Sequence, residues 1–281
     1  MTGGVMSKFV LKNLKLIAMK HLKHLIAPVM YFMLLGLAVS GCKKDTPVDF
    51  TGDEKGTVLS KMDFTDQEIE QIAQLHNDYL LEMINYGVHD RNSLIDYLYD
   101  NFEEFRTISR DSLNLLLDQQ AEFTMQDLLD LVNGNASEFN DAKKLTQYLT
   151  DANQYLVNFD INYLNNLEAQ ARSELTGIDW QVFYTYISVM KKSKEFWVDQ
   201  NNVLYFNISS TNAQRIDNII AADAKAAAYL VLGATIVGVV GILSGGTFGA
   251  ALLDFAISAL SPQNLAFTAA MASIDEAISK K

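Results

Sequence analysis

The sequence predicts an all-α protein, a multi-helix bundle with a C-terminal Gly/Ala-rich apolar helical hairpin. Three observations carry this expectation. No proline occurs between Pro47 and Pro262, so nothing across that span breaks a helix by removing a backbone N–H. Only Gly134 and Gly177 fall between Gly87 and Gly233, so helix stops are few. Apolar residues recur at spacings of three and four along most of the chain, the period of one helical face.

The elements follow in order. Residues 43–63 are polar, contain Gly52 and Gly56, and are expected to be a flexible tether. In "TDQEIEQIAQLHNDYLLEMINYG" Thr65 and Glu68 make a capping box, and Gly87 sits where a C-cap is expected. Ile69, Ile72, Ala73, His76, Leu80, Met83 and Ile84 share one face. "NSLIDYLYDNFEEF" predicts a second helix, with Leu94, Ile95, Leu98, Phe102 and Phe105 inward. Two shorter helices follow in "SRDSLNLLLDQQAEF" and "TMQDLLDLVNG", the latter opening on Thr124 and Asp127.

From Ser137 onward Ala142, Leu145, Leu149, Ala152, Leu156 and Phe159 form a heptad-like seam. It extends through Leu164, Leu167 and Ala171 to Leu175, with a break expected at Asp160, where the register shifts. Two or three heptads predict a seam inside a bundle rather than a coiled-coil dimer. "DWQVFYTYISVMKKSKEFWVDQ" gives the next helix, with Phe183, Tyr186, Ile187, Met190 and Trp197 inward. "NNVLYFNISSTN" is strand-like in composition but short and isolated, and is expected to be a packed loop.

From Ala226 to Leu253 the chain carries no charge and contains six Gly and six Ala. Gly241, Gly245 and Gly249 recur every four residues, as do Ala234 and Gly238, a spacing that lets two helices approach closely. The expectation is a long apolar helix, a turn at Gly245-Gly246, a short helix, and a last helix entered through Ser261-Pro262. Three fates are open for this segment: a buried hairpin, a membrane-inserting hairpin, or a surface for self-assembly or a partner. Asp254 interrupts it, either as a water-facing helix end or as a buried carboxylate, and inside a membrane it would be a functional residue by default.

Residues 1–41 hold five lysines and no acid, then an apolar run from Leu25 to Val39, then Ser40 and Gly41. This is the pattern of a secretory signal, with Met19 opening a version of more usual length. Its end, Val39-Ser40-Gly41-Cys42, resembles the lipobox of bacterial lipoproteins. That resemblance implies a diacylglycerol thioether on Cys42, cleavage after Gly41 and N-acylation of the new terminus. The lipid on Cys42 would be covalent, and no cofactor is expected. Lys43 stands where an Asp would favour inner-membrane retention, so the outer membrane is expected, on its periplasmic side or at the cell surface. The organisation is then 1–41 signal, 42–63 lipidated tether, 64–210 helical bundle, and 211–281 Gly/Ala-rich helices packed on it.

The net charge of −12 combines +5 before residue 42 with −17 after it. So acidic a body is repelled by phosphate backbones, which excludes nucleic acid as a partner. Cys42 is the only cysteine, so no intrachain disulfide can form. No metalloprotease, phosphate-loop or paired-Cys motif occurs. His76, beside Asn77 on a core stripe, is expected to be a satisfied core histidine rather than a metal ligand.

Three stretches, "QLHNDYLLEM" (74–83), "SVMKKSKEFW" (188–197) and "IIAADAKAAAYLVLGATIVGVVG" (219–241), together resemble a group of uncharacterised Bacteroidota proteins. The matching positions are His76, Asn77 and Leu80, then Ser193, Phe196 and Trp197, then Asp223 and Ala224. Ala227 and Ala228 depart from the group's glycines. The resemblance implies one fold in which His76 and Trp197 meet in the core, and it brings no activity with it. The expected function is that of an envelope lipoprotein, non-enzymatic and binding or structural, held at the membrane by lipid and open to an envelope protein partner. A membrane-active, bacteriocin-like protein is the alternative, and an enzyme with a site near His76 the third.

Overall fold

Helix α1 spans Asp66–Tyr86 in a computed structural model that describes residues 64–121, 124–155, 160–206, 208, 213–244 and 261–279. Its start is chemically fixed. The Glu68 N–H donates to Thr65 Oγ1 at 3.2 Å, and the Thr65 N–H donates to Glu68 Oε2 at 2.7 Å, so two end donors are satisfied reciprocally. It stops at Gly87, whose φ of 101° is left-handed and whose N–H bonds Ile84 O and Met83 O. The predicted stripe is buried from Ile69 to Met83, with Ile84 half-buried.

Helix α2 (Arg91–Asn101) is shorter than its apolar pattern. The chain leaves the helix at Phe102 and turns into a 3₁₀ segment, Glu103–Thr107, which buries Phe105. The cause lies in Arg106. Its guanidinium returns to Tyr99 O at 2.6 Å and Asp100 O at 3.0 Å, taking carbonyls that the helix end leaves free. Helix α3 (Arg110–Ala121) and helix α4 (Met125–Gly134) follow, α4 opening on the predicted Thr124–Asp127 capping box.

The expected seam from Ser137 to Leu175 is divided. Ala136–Glu138 is a 3₁₀ turn, and α5 (Ala142–Gln154) begins only at Asp141, whose carboxylate accepts the Lys144 N–H. Helix α6 (Ile161–Glu174) is a separate element, capped by Asp160 accepting from Asn162 and Tyr163 N–H. A side chain that satisfies a new helix start at residue 160 ends any continuous seam. Leu156 and Phe159 lie outside the described residues.

Helix α7 (Ile178–Trp197) is buried on all sides from Gln181 to Met190, where the sequence predicted a single inward face. The short α8 (Gln200–Tyr205) takes up the first part of the predicted loop, of which residues 207 and 209–212 lie outside the described residues. It forms because Asp199 accepts the Asn201 N–H at 2.8 Å and because Val203 and Phe206 are buried one turn apart. Helix α9 (Ala213–Ser244) and α10 (Pro262–Ser279) complete the described chain, the latter with Ser261 Oγ accepting the Asn264 N–H as an N-cap.

The described residues contain ten α-helices and no strand, an all-α architecture. Four of them form the centre. Around the bundle α1 lies against α7, α7 against α9, α9 against α10, and α10 against α1. The C-terminal segment therefore supplies two of the four central helices. Helices α5 and α6 cover α7, while α2 and α3 cover α10. Asp179 ties one layer to the other: from the first turn of α7 its buried carboxylate accepts the Asn140 N–H at 3.1 Å and the Asp141 N–H at 2.7 Å, at the entrance to α5.

Candidate functional site

Polar side chains are rare in the centre of a helical bundle, and each needs partners. Here several meet at one level, drawn from all four central helices. Helix α1 brings His76, α7 brings Ser193 and Trp197, α9 brings Asp223, and α10 brings Ser273; none has any exposed surface. His76 and Asp223 sit on diagonally opposed helices, as do Trp197 and Ser273. The layer therefore crosses the bundle axis both ways.

Asp223 is the hub. Its Oδ2 accepts from Ser193 Oγ and, at 3.0 Å, from Ser273 Oγ. His76 Nε2 lies 3.2 Å from the same oxygen, at ion-pair distance but off the line of a hydrogen bond. Asp223 Oδ1 has no protein partner among the described residues. Trp197 Nε1 donates to Ser273 Oγ at 2.9 Å. On the far side of the imidazole, His76 Nδ1 is 2.9 Å from Asn77 Oδ1, and Asn77 Nδ2 donates to Lys192 O at 3.0 Å. Burial pushes the Asp223 carboxyl up from the ordinary carboxylate range, against the opposing pull of His76, Ser193 and Ser273.

Of the residues singled out in the sequence, His76, Asn77, Ser193 and Trp197 come together here. His76 and Trp197 are linked through Asp223 and Ser273. Cys42, Gly41, Gly245, Gly249 and Asp254 lie outside the described residues. Gly238 and Gly241 fall on the backbone of α9. Ser273 was not among the candidates, and Asp223 stood only as a matching position of the Bacteroidota resemblance, without a role. Asp223 carried a usable signal, a lone carboxylate in an alanine run just before the uncharged stretch. Ser273, in "AMASID", carried none.

The chemistry open to this layer is limited by its donors. A nucleophilic serine needs a base beside its oxygen, whereas both hydroxyls here point at a carboxylate and neither ring nitrogen of His76 receives one. Among the described residues no group of three or more His, Cys, Asp or Glu is placed to hold a metal. An open cavity lined by Tyr99, Asp100, Arg106, Thr107, Ile108 and Ser109 shares no residue with the layer. What the layer can do is fix the register of four helices and hold a proton. A second ionic cluster lies at the side of the bundle, where Arg91 of α2 pairs with the buried Asp275 of α10 at 2.9 Å and with Asp118 of α3.

Compared with protein-family models, with curated proteins and with solved structures, the chain finds no match in any of the three.

Proposed function

We propose that this chain is an envelope lipoprotein whose helical body acts by binding or by structure rather than by turnover. The observation that carries the reading is the stretch Val39-Ser40-Gly41-Cys42, placed after a basic segment and an apolar run and before a polar tether. Acyl chains on Cys42 would anchor the protein. One chain holds only marginally, at about 0.8 kcal/mol per buried methylene, and two or more hold stably. Lys43 after the cysteine favours the outer membrane, and the acidic body favours a protein partner over nucleic acid. The sealed Asp223 layer supports a non-enzymatic body, because its serines are spent on a carboxylate.

The test is metabolic labelling with an alkyne fatty acid, followed by mass spectrometry of the mature N-terminus. The expected result is label on Cys42, a terminus generated by cleavage after Gly41, and loss of both in Cys42→Ser. Label that persists in Cys42→Ser, or a mature terminus elsewhere, would overturn the reading.

One observation favours a second reading, membrane activity: the 28 uncharged residues from Ala226 to Leu253. Against it, Ala226–Gly233 is buried within the bundle, and among the described residues no helix is long and apolar enough to cross a membrane. Dye release from liposomes by the purified protein would favour it over the first.

A further inference from the structure

The donors and acceptors around His76 fix how many protons the layer holds. Asn77 Nδ2 is committed to Lys192 O, so the atom facing His76 Nδ1 is the amide oxygen, an acceptor. Nδ1 therefore carries a hydrogen. A neutral imidazole protonated there presents a bare lone pair at Nε2, and Nε2 faces Asp223 Oδ2 at 3.2 Å. Neither serine relieves this. Trp197 can only donate, so Ser273 accepts from it and gives its own proton to Asp223, and Ser193 gives its proton to the same oxygen. A bare lone pair held against a buried carboxylate is repulsive. One further proton, on Nε2 or on the carboxyl, makes the pair neutral overall.

We propose that His76 and Asp223 together hold one proton beyond the one on Nδ1, and that this proton locks the four central helices. Gain of a second proton leaves a buried cation, loss of the first leaves a buried anion, and either loosens the bundle. The other charges on these helices are directed elsewhere. On α1, Asp78 accepts from Gln74 and Glu82 from Tyr97. On α7, Lys192 pairs with Glu195 at 2.7 Å, and Lys194 pairs with Asp217 of α9 at 3.8 Å. On α10, Asp275 pairs with Arg91. Glu70 of α1 accepts from Tyr184, Lys191 of α7 pairs with Glu168, Arg215 of α9 donates to Ala277 O, and Lys225 of α9 and Glu276 of α10 are half-buried.

The consequence is a lock tuned to mild acidity. In an unfolded chain an imidazole releases its proton near about 6.5 and an aspartate near about 3.9. Between these values the folded and unfolded pairs carry the same number of protons. Above about 7 folding takes up one proton, and the folding constant falls about tenfold per pH unit; below about 3.5 folding releases one, and the constant falls again.

Two measurements on the full-length protein in detergent test this. The first is ¹⁵N NMR of its labelled imidazoles, with His76 assigned by its loss in His76→Gln. The expected His76 ring keeps its Nδ1 proton and an unchanging Nε2 shift from pH 5 to 8. The second compares denaturation of the natural chain with Asp223→Asn, whose amide is neutral without taking up a proton. Above pH 7 the ratio of their folding constants should fall about tenfold per pH unit. Parallel pH curves, or a His76 ring that gains or loses a proton between pH 5 and 8 with the fold intact, would overturn the proposal. Should Asp223→Asn fail to fold, the ring spectrum of the natural chain decides alone.

Discussion

Ser273 stands between an indole and a carboxylate, and its hydroxyl is used in both directions. Removing it in Ser273→Ala takes one donor from Asp223 and leaves the buried Trp197 N–H without an acceptor, which should cost about 2 kcal/mol. Trp197→Phe removes the same donor from the other end and should cost a similar amount, part of it from lost volume. Because both variants break one bond, the double variant should lose less than the sum, a coupling of about 1 kcal/mol measurable by urea denaturation of all four proteins. Arg91 poses a different problem, since it is the cation beside the nearly inaccessible Asp275. Burial pushes the Asp275 carboxyl up, and Arg91 and Ser279 hold it down. Arg91→Ala should therefore raise it further. A carboxyl that keeps its proton longer in the folded than in the unfolded chain contributes stability below about pH 4, and that stability is lost as the pH rises through its folded value. The deficit of Arg91→Ala should thus be small near pH 4 and reach about 3 kcal/mol near pH 8. Asp275→Asn in the same chain should recover part of it at pH 8, and an equal deficit at both pH values would disprove the account.

At the scale of single elements, two glycines separate backbone conformation from packing. A Cβ at Gly87 or Gly134 would meet no atom within 4 Å, so neither is needed for space. Gly87 holds φ at 101° to end α1, whereas Gly134 closes α4 without a positive φ. Gly87→Ala should lower stability by about 1 kcal/mol, and Gly134→Ala should raise it by about 0.5 kcal/mol, both read from thermal midpoints. Such end signals are local, which explains why the capping boxes at Thr65 and Thr124 were legible in the sequence. Elements set by tertiary contact were not. The polar residues Gln181, Thr185 and Ser188 made α7 look one-sided, yet α1, α9 and the flanking α5 and α6 enclose it. Strand-like composition disguised α8, which depends on the Asp199 cap and on burial of Val203 and Phe206. The candidate site was half legible for the same reason. His76, Asn77, Ser193 and Trp197 stood out by residue type, but Ser193 and Ser273 are 30 and 50 residues from the carboxylate that joins them, and spacing cannot give such a pairing.

For the whole molecule, periodicity gave the inward faces but not the order of helices around the axis. That order puts α1 and α10, near opposite ends of the described chain, side by side. While the polypeptide is being made, the buried stripe of α1 has a partner in α7 but none on its other flank until Pro262–Ser279 has emerged. Asp223 likewise lacks Ser273 until then. The bundle thus closes late, after almost all the chain is available. A chain stopped after residue 260 should consequently be digested by a nonspecific protease at low concentrations that leave the full-length protein whole. If the shortened chain resisted digestion equally well, closure by the last helix would not be what completes the fold.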